Sequence, residues 1–293
     1  MQEGICGRYH ASKGHLREIK RIFSVAAAAL SMTNAMAGLL VTEVTGIVEI
    51  DGKAPVATLA EIPDGARLSL QADATLVAVD LVSGKEYLLK GGQDYRVTPQ
   101  GPQGQGISET ALPAAGMADI HIEPGMVAEA KPATRTRTLQ ANALSPISPV
   151  KTIVVSDAPL FRWSAVEASA GYRLSVLKPD GALHWEARTQ DTQLPLPATH
   201  RLAPGVKYTW RIEQLAAGGS VPGAAAEFSV APAATLKQLS ALKADSRSPF
   251  ARRVLYAALL TEVGAKQEAR ALWQELAREK PDDKVLRKFA EAR

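Results

Sequence analysis

A mainly β chain ending in a short α-helical tail is what the sequence predicts, and three observations predict it. Between Pro159 and Val230, the residues Trp163, Tyr172, Trp185, Tyr208, Trp210 and Phe228 sit on short segments in which apolar and polar residues alternate. Successive side chains of a strand point to opposite faces, so a period of two marks strands with one buried side. Gly and Pro turns separate these segments, as a β-sandwich of short strands requires. Beyond Pro232 the apolar period lengthens to that of a helix.

Residues 1–37 have the three parts of an export signal. Lys20 and Arg21 close a basic region, Ile22 to Met32 is apolar and Ala-rich, and Ala35-Met36-Ala37 supplies small residues for cleavage. Cleavage after Ala37 and a periplasmic mature chain are expected, with an uncleaved anchor as the alternative. The apolar core falls short of the roughly 20 residues that span a bilayer, so no transmembrane span is expected in the mature chain. The formal charge of +4 falls to +1 without this segment, because it holds Arg8, Lys13, Arg17, Lys20 and Arg21 against Glu3 and Glu18. No basic surface then remains to argue for a nucleic-acid partner. Cys6 is the sole cysteine and precedes the apolar core, so the mature chain has no thiol for disulfides, nucleophilic catalysis or Cys-ligated zinc. A length of 293 residues implies two or three units, and a mean hydropathy of −0.05 excludes a polytopic membrane protein.

From Val41 to Val97 short strands are expected again. Val44, Gly46, Val48 and Ile50 alternate, Asp51-Gly52 is a turn, and Ile62-Pro63-Asp64-Gly65 precedes Leu68 and Leu70. A run from Leu76 to Leu81 leads through Ser83-Gly84 to Tyr87, Leu88 and Leu89. The Gly-x-Val opening, the Asp-Gly-Ala-Arg-Leu step and the Val-x-x-x-Ser-Gly-Lys hairpin resemble the periplasmic FecR-type module, which implies a FecR-like β module over 39–131. The anti-sigma segment and membrane span that precede that module in FecR proper have no counterpart here, so its signalling role is not carried over; a regulatory sensor related to FecR stays an alternative. Residues 99–117, rich in Pro, Gly and Gln, read as a linker or long loop. Ala118 to Glu123 and Met126 to Lys131 read as two further strands. Thr134 to Thr138, alternating with Arg135 and Arg137, reads as a solvated edge strand or as a basic strip for anionic wall polymers.

The sandwich is expected over 146–231. Phe161 and Trp163 share one strand face, and Tyr172, Leu174 and Val176 share another. Pro179-Asp180-Gly181 turns the chain into a strand whose inward residues would be Leu183, Trp185 and Ala187. Val206, Tyr208, Trp210 and Ile212 form the longest run, and Gly218-Gly219 separates it from Phe228 and Val230. Leu202, Pro204, Gly205 and Tyr208 make an L-x-P-G-x-x-Y spacing that resembles the tyrosine corner of fibronectin type III and immunoglobulin-like domains. That resemblance implies a structural role for Trp163, Leu202, Pro204, Gly205, Tyr208 and Trp210, with Tyr208 hydrogen-bonded back to its turn.

Residues 234–293 read as helical. Leu236, Leu239 and Leu242 recur at threes, Ser248-Pro249 is expected to cap a helix carrying Phe250, Val254, Ala257 and Thr261, and Gly264 stops it. Ala269, Leu272, Trp273 and Leu276 share a face of the next helix, and Pro281-Asp282 opens a last one. Ala257, Gly264, Ala269, Trp273 and Pro281 resemble one tetratricopeptide repeat, with Arg253 in place of its usual aromatic residue. A lone helical pair exposes more apolar surface than it can bury, so Ala269, Leu272, Trp273 and Leu276 are candidate partner-binding residues unless the tail covers the sandwich.

Chemistry is sparse. His10 and His15 belong to the signal, His121 and Glu123 are too few for a metal site, and His184 and His200 read as solvated. Asp282 and Asp283 read as helix caps. No Gly-x-Ser-x-Gly elbow or phosphate loop occurs. No catalytic residue, metal or cofactor is expected. The function indicated is a non-catalytic periplasmic scaffold or protein-interaction protein of the bacterial envelope, with an envelope protein as partner. The alternative is a cell-wall or glycan-binding module using Trp185 and Trp210, although both fall on the core face of their strands.

Overall fold

Leu39, Leu40 and Val41 are consecutive and all buried, which a strand achieves only when both of its faces are covered. In the computed structural model, which describes residues 38–53, 55–112, 144–165, 170–216 and 218–292, they open β1 (Gly38–Thr45). Leu39 and Val41 face one core and Leu40 another. The export signal with Cys6, His10 and His15, the strands expected at Ala118–Glu123 and Met126–Lys131, the His121 and Glu123 pair and the Thr134–Thr138 segment lie outside the described residues.

The first β unit continues with β2 (Val48–Ile50), β3 (Glu61–Pro63), β4 (Arg67–Leu70), β5 (Thr75–Asp80), β6 (Lys85–Lys90), β7 (Gln93–Thr98), β8 (Gly101–Gln103) and β9 (Ser108–Ala111). One sheet has the order β3-β1-β5-β6-β9 and the other β2-β4-β7-β8. Leu39, Val41, Ile62, Leu68, Leu76, Leu89 and Tyr95 belong to one buried core contributed by both sheets. The alternation expected from Val44 to Ile50 is interrupted at Gly46, which has a φ of +74° and lies so close to Ala74 that a Cβ would sit 2.9 Å from its Cα. Only glycine suits that turn, and it carries the chain from one sheet to the other. Within 99–112, the described part of the expected linker or long loop, Gly101–Gln103 pairs with β7 and Ser108–Ala111 with β6, so backbone pairing holds two stretches whose composition suggested a loop; residues 113–117 lie outside the described residues.

The second β unit comprises β10 (Pro146–Ser148), β11 (Ile153–Val154), β12 (Leu160–Trp163), β13 (Tyr172–Leu177), β14 (Leu183–Thr189), β15 (Gln193–Pro195), β16 (Lys207–Ala216) and β17 (Gly219–Val230). Sheets of order β10-β12-β15 and β11-β17-β16-β13-β14 form a sandwich, with only the β11–β17 pair parallel. Phe161, Trp163, Leu174, Trp210 and Phe228 fill the core, and Phe161 meets Trp210 edge to face at 5.2 Å. Trp210 Nε1 donates to the carbonyl of Pro149 at 2.7 Å, which satisfies the buried indole. Leu183 departs from expectation by pointing outward, 55% exposed. Val176 pairs with Trp185 but Leu177 pairs with Leu183, so a bulge at His184 reverses the parity.

Tyr208 Oη accepts the N–H of Ala203 at 3.0 Å, closing the turn in which Gly205 has a φ of +74°. Tyr208→Phe removes that acceptor, and we expect a loss of about 1 kcal/mol in urea unfolding. An unchanged midpoint would mean that the bond does not hold the corner.

The helices are α1 (Ala233–Leu242), α2 (Phe250–Glu262), α3 (Lys266–Glu279) and α4 (Lys284–Glu291). Ser248 does not cap α2. Its Oγ instead accepts from the N–H of Asp245, because Asp245 and Ser248 close a turn of their own. Gly264, at a φ of +80°, ends the α2 turn. Asp283 caps α4 through Oδ1, which accepts from the N–H groups of Val285 and Leu286.

These helices bury their apolar faces within the chain. Val254, Ala258, Trp273, Leu276, Leu286 and Phe289 share a core with Leu40, Leu59, Val79 and Leu112 of the first β unit. Polar contacts fasten the same boundary, since Lys280 Nζ pairs with Glu43 at 2.8 Å and the Thr58 hydroxyl donates to Asp283 at 2.7 Å. The second β unit is tied in through β11, where Ile153 N–H and the Thr152 hydroxyl both donate to the Gly264 carbonyl at 3.1 Å. Leu236 of α1 packs against the sandwich core, so that core extends past Val230.

Arg253, at the position where the tetratricopeptide resemblance wants an aromatic residue, is 5% exposed. Its guanidinium donates to both carboxylate oxygens of Glu279 and, at 3.3 Å, to Glu275. An arginine is tolerated there because two acids one turn apart on α3 reach it with fork geometry.

Candidate functional site

Where the sandwich loops meet α1, α2 and α3, the chain leaves a groove of about 920 Å³. Each helix contributes one face: Leu236, Leu239 and Ser240 from α1, with Lys243 just after its end, Tyr256 and Leu260 from α2, and Glu268, Leu272 and Glu275 from α3. Spacings of three and four residues bring such side chains onto one face. The opposite wall comes from Val155 to Asp157, just after β11, and from Arg201, Leu202 and Pro204 of the tyrosine-corner turn. Pro204 therefore shapes a surface as well as a turn, with Leu202 buried behind it.

The stripe expected to bind a partner is divided. Ala269, Trp273 and Leu276 are buried in the helical core and correct the expectation, because α2, α4 and the first β unit cover them. Trp273 stacks on Phe289 at 4.9 Å and donates from Nε1 to Thr261 Oγ1 at 2.9 Å. Leu272 alone of the four lines the groove, half-buried. The aromatic platform for a glycan is also closed, since Trp210 is 0% and Trp185 8% exposed. His184 is half-buried rather than solvated, with its ring 5.5 Å from that of Tyr208 and Nε2 3.0 Å from the His200 carbonyl. No group of three or more His, Cys, Asp or Glu side chains suited to a metal occurs among the described residues. No helix among them is long and apolar enough to cross a membrane.

No protein-family model and no curated protein matches this chain. Solved structures do show likeness. The crystal structure of FN3tt is 19% identical, with 29% of this chain and 91% of that chain covered and a TM-score of 0.25. CopC from Methylosinus trichosporium OB3b is 24% identical, covering 31% and 95%, with a TM-score of 0.25. A segment of two fibronectin type III domains from chicken tenascin is 11% identical, covering 65% and 82%, with a TM-score of 0.23. Likenesses of this size say nothing about activity.

Electrostatically, the groove holds three carboxylates with different surroundings. Asp157 pairs with Arg201 at 2.6 Å, and Glu275 accepts from Arg253. Glu268 Oε1 accepts the N–H of Val155, at 3.4 Å, the carboxylate also feels its own backbone N–H, and its enclosed Oε2 has no hydrogen-bond partner. Burial raises the Glu268 carboxyl above its ordinary range, against the smaller opposing pull of backbone N–H groups. Tyr256 is raised as well, first by burial and then by the charge of Glu268.

A raised carboxyl means that the charged form costs folding stability above the folded-state pKa, and the cost is relieved as pH falls through it. Glu268→Gln should therefore raise the melting temperature at pH 7.5 and flatten the profile between neutral and mildly acidic pH. A variant that melts lower at pH 7.5 with the wild-type profile would show that the charge is not penalised.

Proposed function

We propose that this chain is an exported, non-catalytic protein of the bacterial envelope that binds another protein through the groove between its sandwich and its helices. The observation that carries the reading is the groove itself: an open, partly apolar surface built from two β-sandwich loops and three helix faces, around Leu272. Grooves that combine apolar walls with a few placed polar groups are where proteins take ligands and segments of partners. The export part rests on the basic, apolar and Ala-x-Ala order of residues 1–37. In this reading the FecR-type resemblance describes the first β unit and the tetratricopeptide resemblance describes α2 and α3, both as supports that hold the groove.

Intact-mass measurement on protein from the envelope fraction should give a chain beginning at Gly38. Affinity capture from the same fraction should retain a protein that Leu272→Asp loses while its melting temperature stays within a few degrees of wild type. Capture that is indifferent to Leu272→Asp, or co-sedimentation with purified peptidoglycan in its place, would overturn the reading.

A further inference from the structure

The geometry points to a specific chemistry for the occupant of the groove: we propose that it receives a lysine-bearing, otherwise apolar segment of a partner protein, with Glu268 as counter-ion to the lysine ammonium. This rests on the protein-binding reading above and adds what the partner must carry.

The argument is one of charge complementarity. Asp157 and Glu275 already have arginine partners within the chain, whereas Glu268 makes no ion pair and leaves Oε2 enclosed without a donor. Lys243 also lines the groove but makes no hydrogen bond or ion pair with Glu268. A buried carboxylate oxygen without a donor is costly, and native proteins keep such groups where something else satisfies them. An ammonium has three donors and no acceptor, so it can meet both the charge and the empty lone pairs. The surroundings suit the rest of such a segment. Leu236, Tyr256 and Leu272, each half-buried, line the groove together with Glu268 and offer apolar surface to the lysine stem and to its flanking residues. An acidic segment would bring a like charge to Glu268, and a purely apolar one would leave Oε2 unpaired.

The test uses three fluorescein-labelled probe peptides, acetyl-Leu-Ala-Lys-Ala-Leu-amide and the same sequence with norleucine or glutamate in place of lysine. They are titrated by anisotropy against the protein purified from the envelope. The lysine peptide should bind roughly ten- to a hundredfold more tightly than the norleucine peptide, and the glutamate peptide most weakly. Glu268→Gln should erase the preference for lysine over norleucine, and Leu272→Asp should weaken lysine and norleucine binding alike. Equal binding of the lysine and norleucine peptides, preference for glutamate, a lysine preference that survives Glu268→Gln, or no binding by any probe would overturn the proposal. A concentration-dependent dimer in sedimentation velocity that Leu272→Asp abolishes would assign the groove to a second copy and overturn it as well. The two readings fail separately, because a partner captured through Leu272 without any lysine preference leaves the protein-binding function standing and removes only the counter-ion role.

Discussion

Deleting residues 234–293 should cause the remaining chain to aggregate or to melt far below the intact protein. Leu40, Leu59, Val79 and Leu112 of the first β unit are buried in the same core as α2, α3 and α4, and the deletion returns them to water. At about 1.5–3 kcal/mol for each side chain, the loss is on the order of 10 kcal/mol, comparable with the whole stability of a domain. The Lys280–Glu43 pair and the Thr58–Asp283 bond go with it. A truncated chain that stays monomeric and melts at the wild-type temperature would contradict this account of the tail. The helices thus serve as structural cover for the first β unit, while their groove face stays open to a partner.

The second large effect is expected in the sandwich. Trp210→Ala should cost about 3–5 kcal/mol through lost burial and a cavity beside Phe161 and Trp163. Trp163→Ala should fall in the same range, but the two tryptophans differ in what phenylalanine does. Trp210→Phe strands the Pro149 carbonyl and should cost about 1–3 kcal/mol beyond the lost volume. Trp163→Phe removes an indole N–H that has no partner already, so only the smaller ring is felt. Guanidinium unfolding of the four variants checks both statements. Equal costs for the two Phe variants would deny that the Pro149 bond matters.

Period-two patterning made the sandwich legible, because one-sided burial leaves its mark on consecutive residues such as Phe161 to Trp163 and Tyr172 to Val176. Leu183 escaped, since a bulge at His184 is set by pairing register across the hairpin and not by local composition. In β1, Leu40 reads like its neighbours, and nothing local says that a second layer of helices covers its face. The helical stripe was visible, but its division was not: Ala269, Trp273 and Leu276 turn inward, while Leu272, half-buried at the edge of the same core, also lines the groove. Arg253 carried a signal, being a charge where the repeat resemblance wants an aromatic ring, yet its acids stand more than twenty residues away. The groove left no pattern at all. Its walls, Val155 to Asp157, Arg201 to Pro204 and the helix faces, meet only through tertiary packing, and Glu268 in isolation is one more charge on an amphipathic helix.

Photo-cross-linking in living cells tests the central claim most directly. p-Benzoylphenylalanine placed at Leu272 in the groove, and separately at Val82, which is 68% exposed on the first β unit, reports what each surface touches. The account predicts an ultraviolet-dependent adduct with a second protein from position 272 and none from 82. No adduct from 272, or the same adducts from both positions, would contradict it.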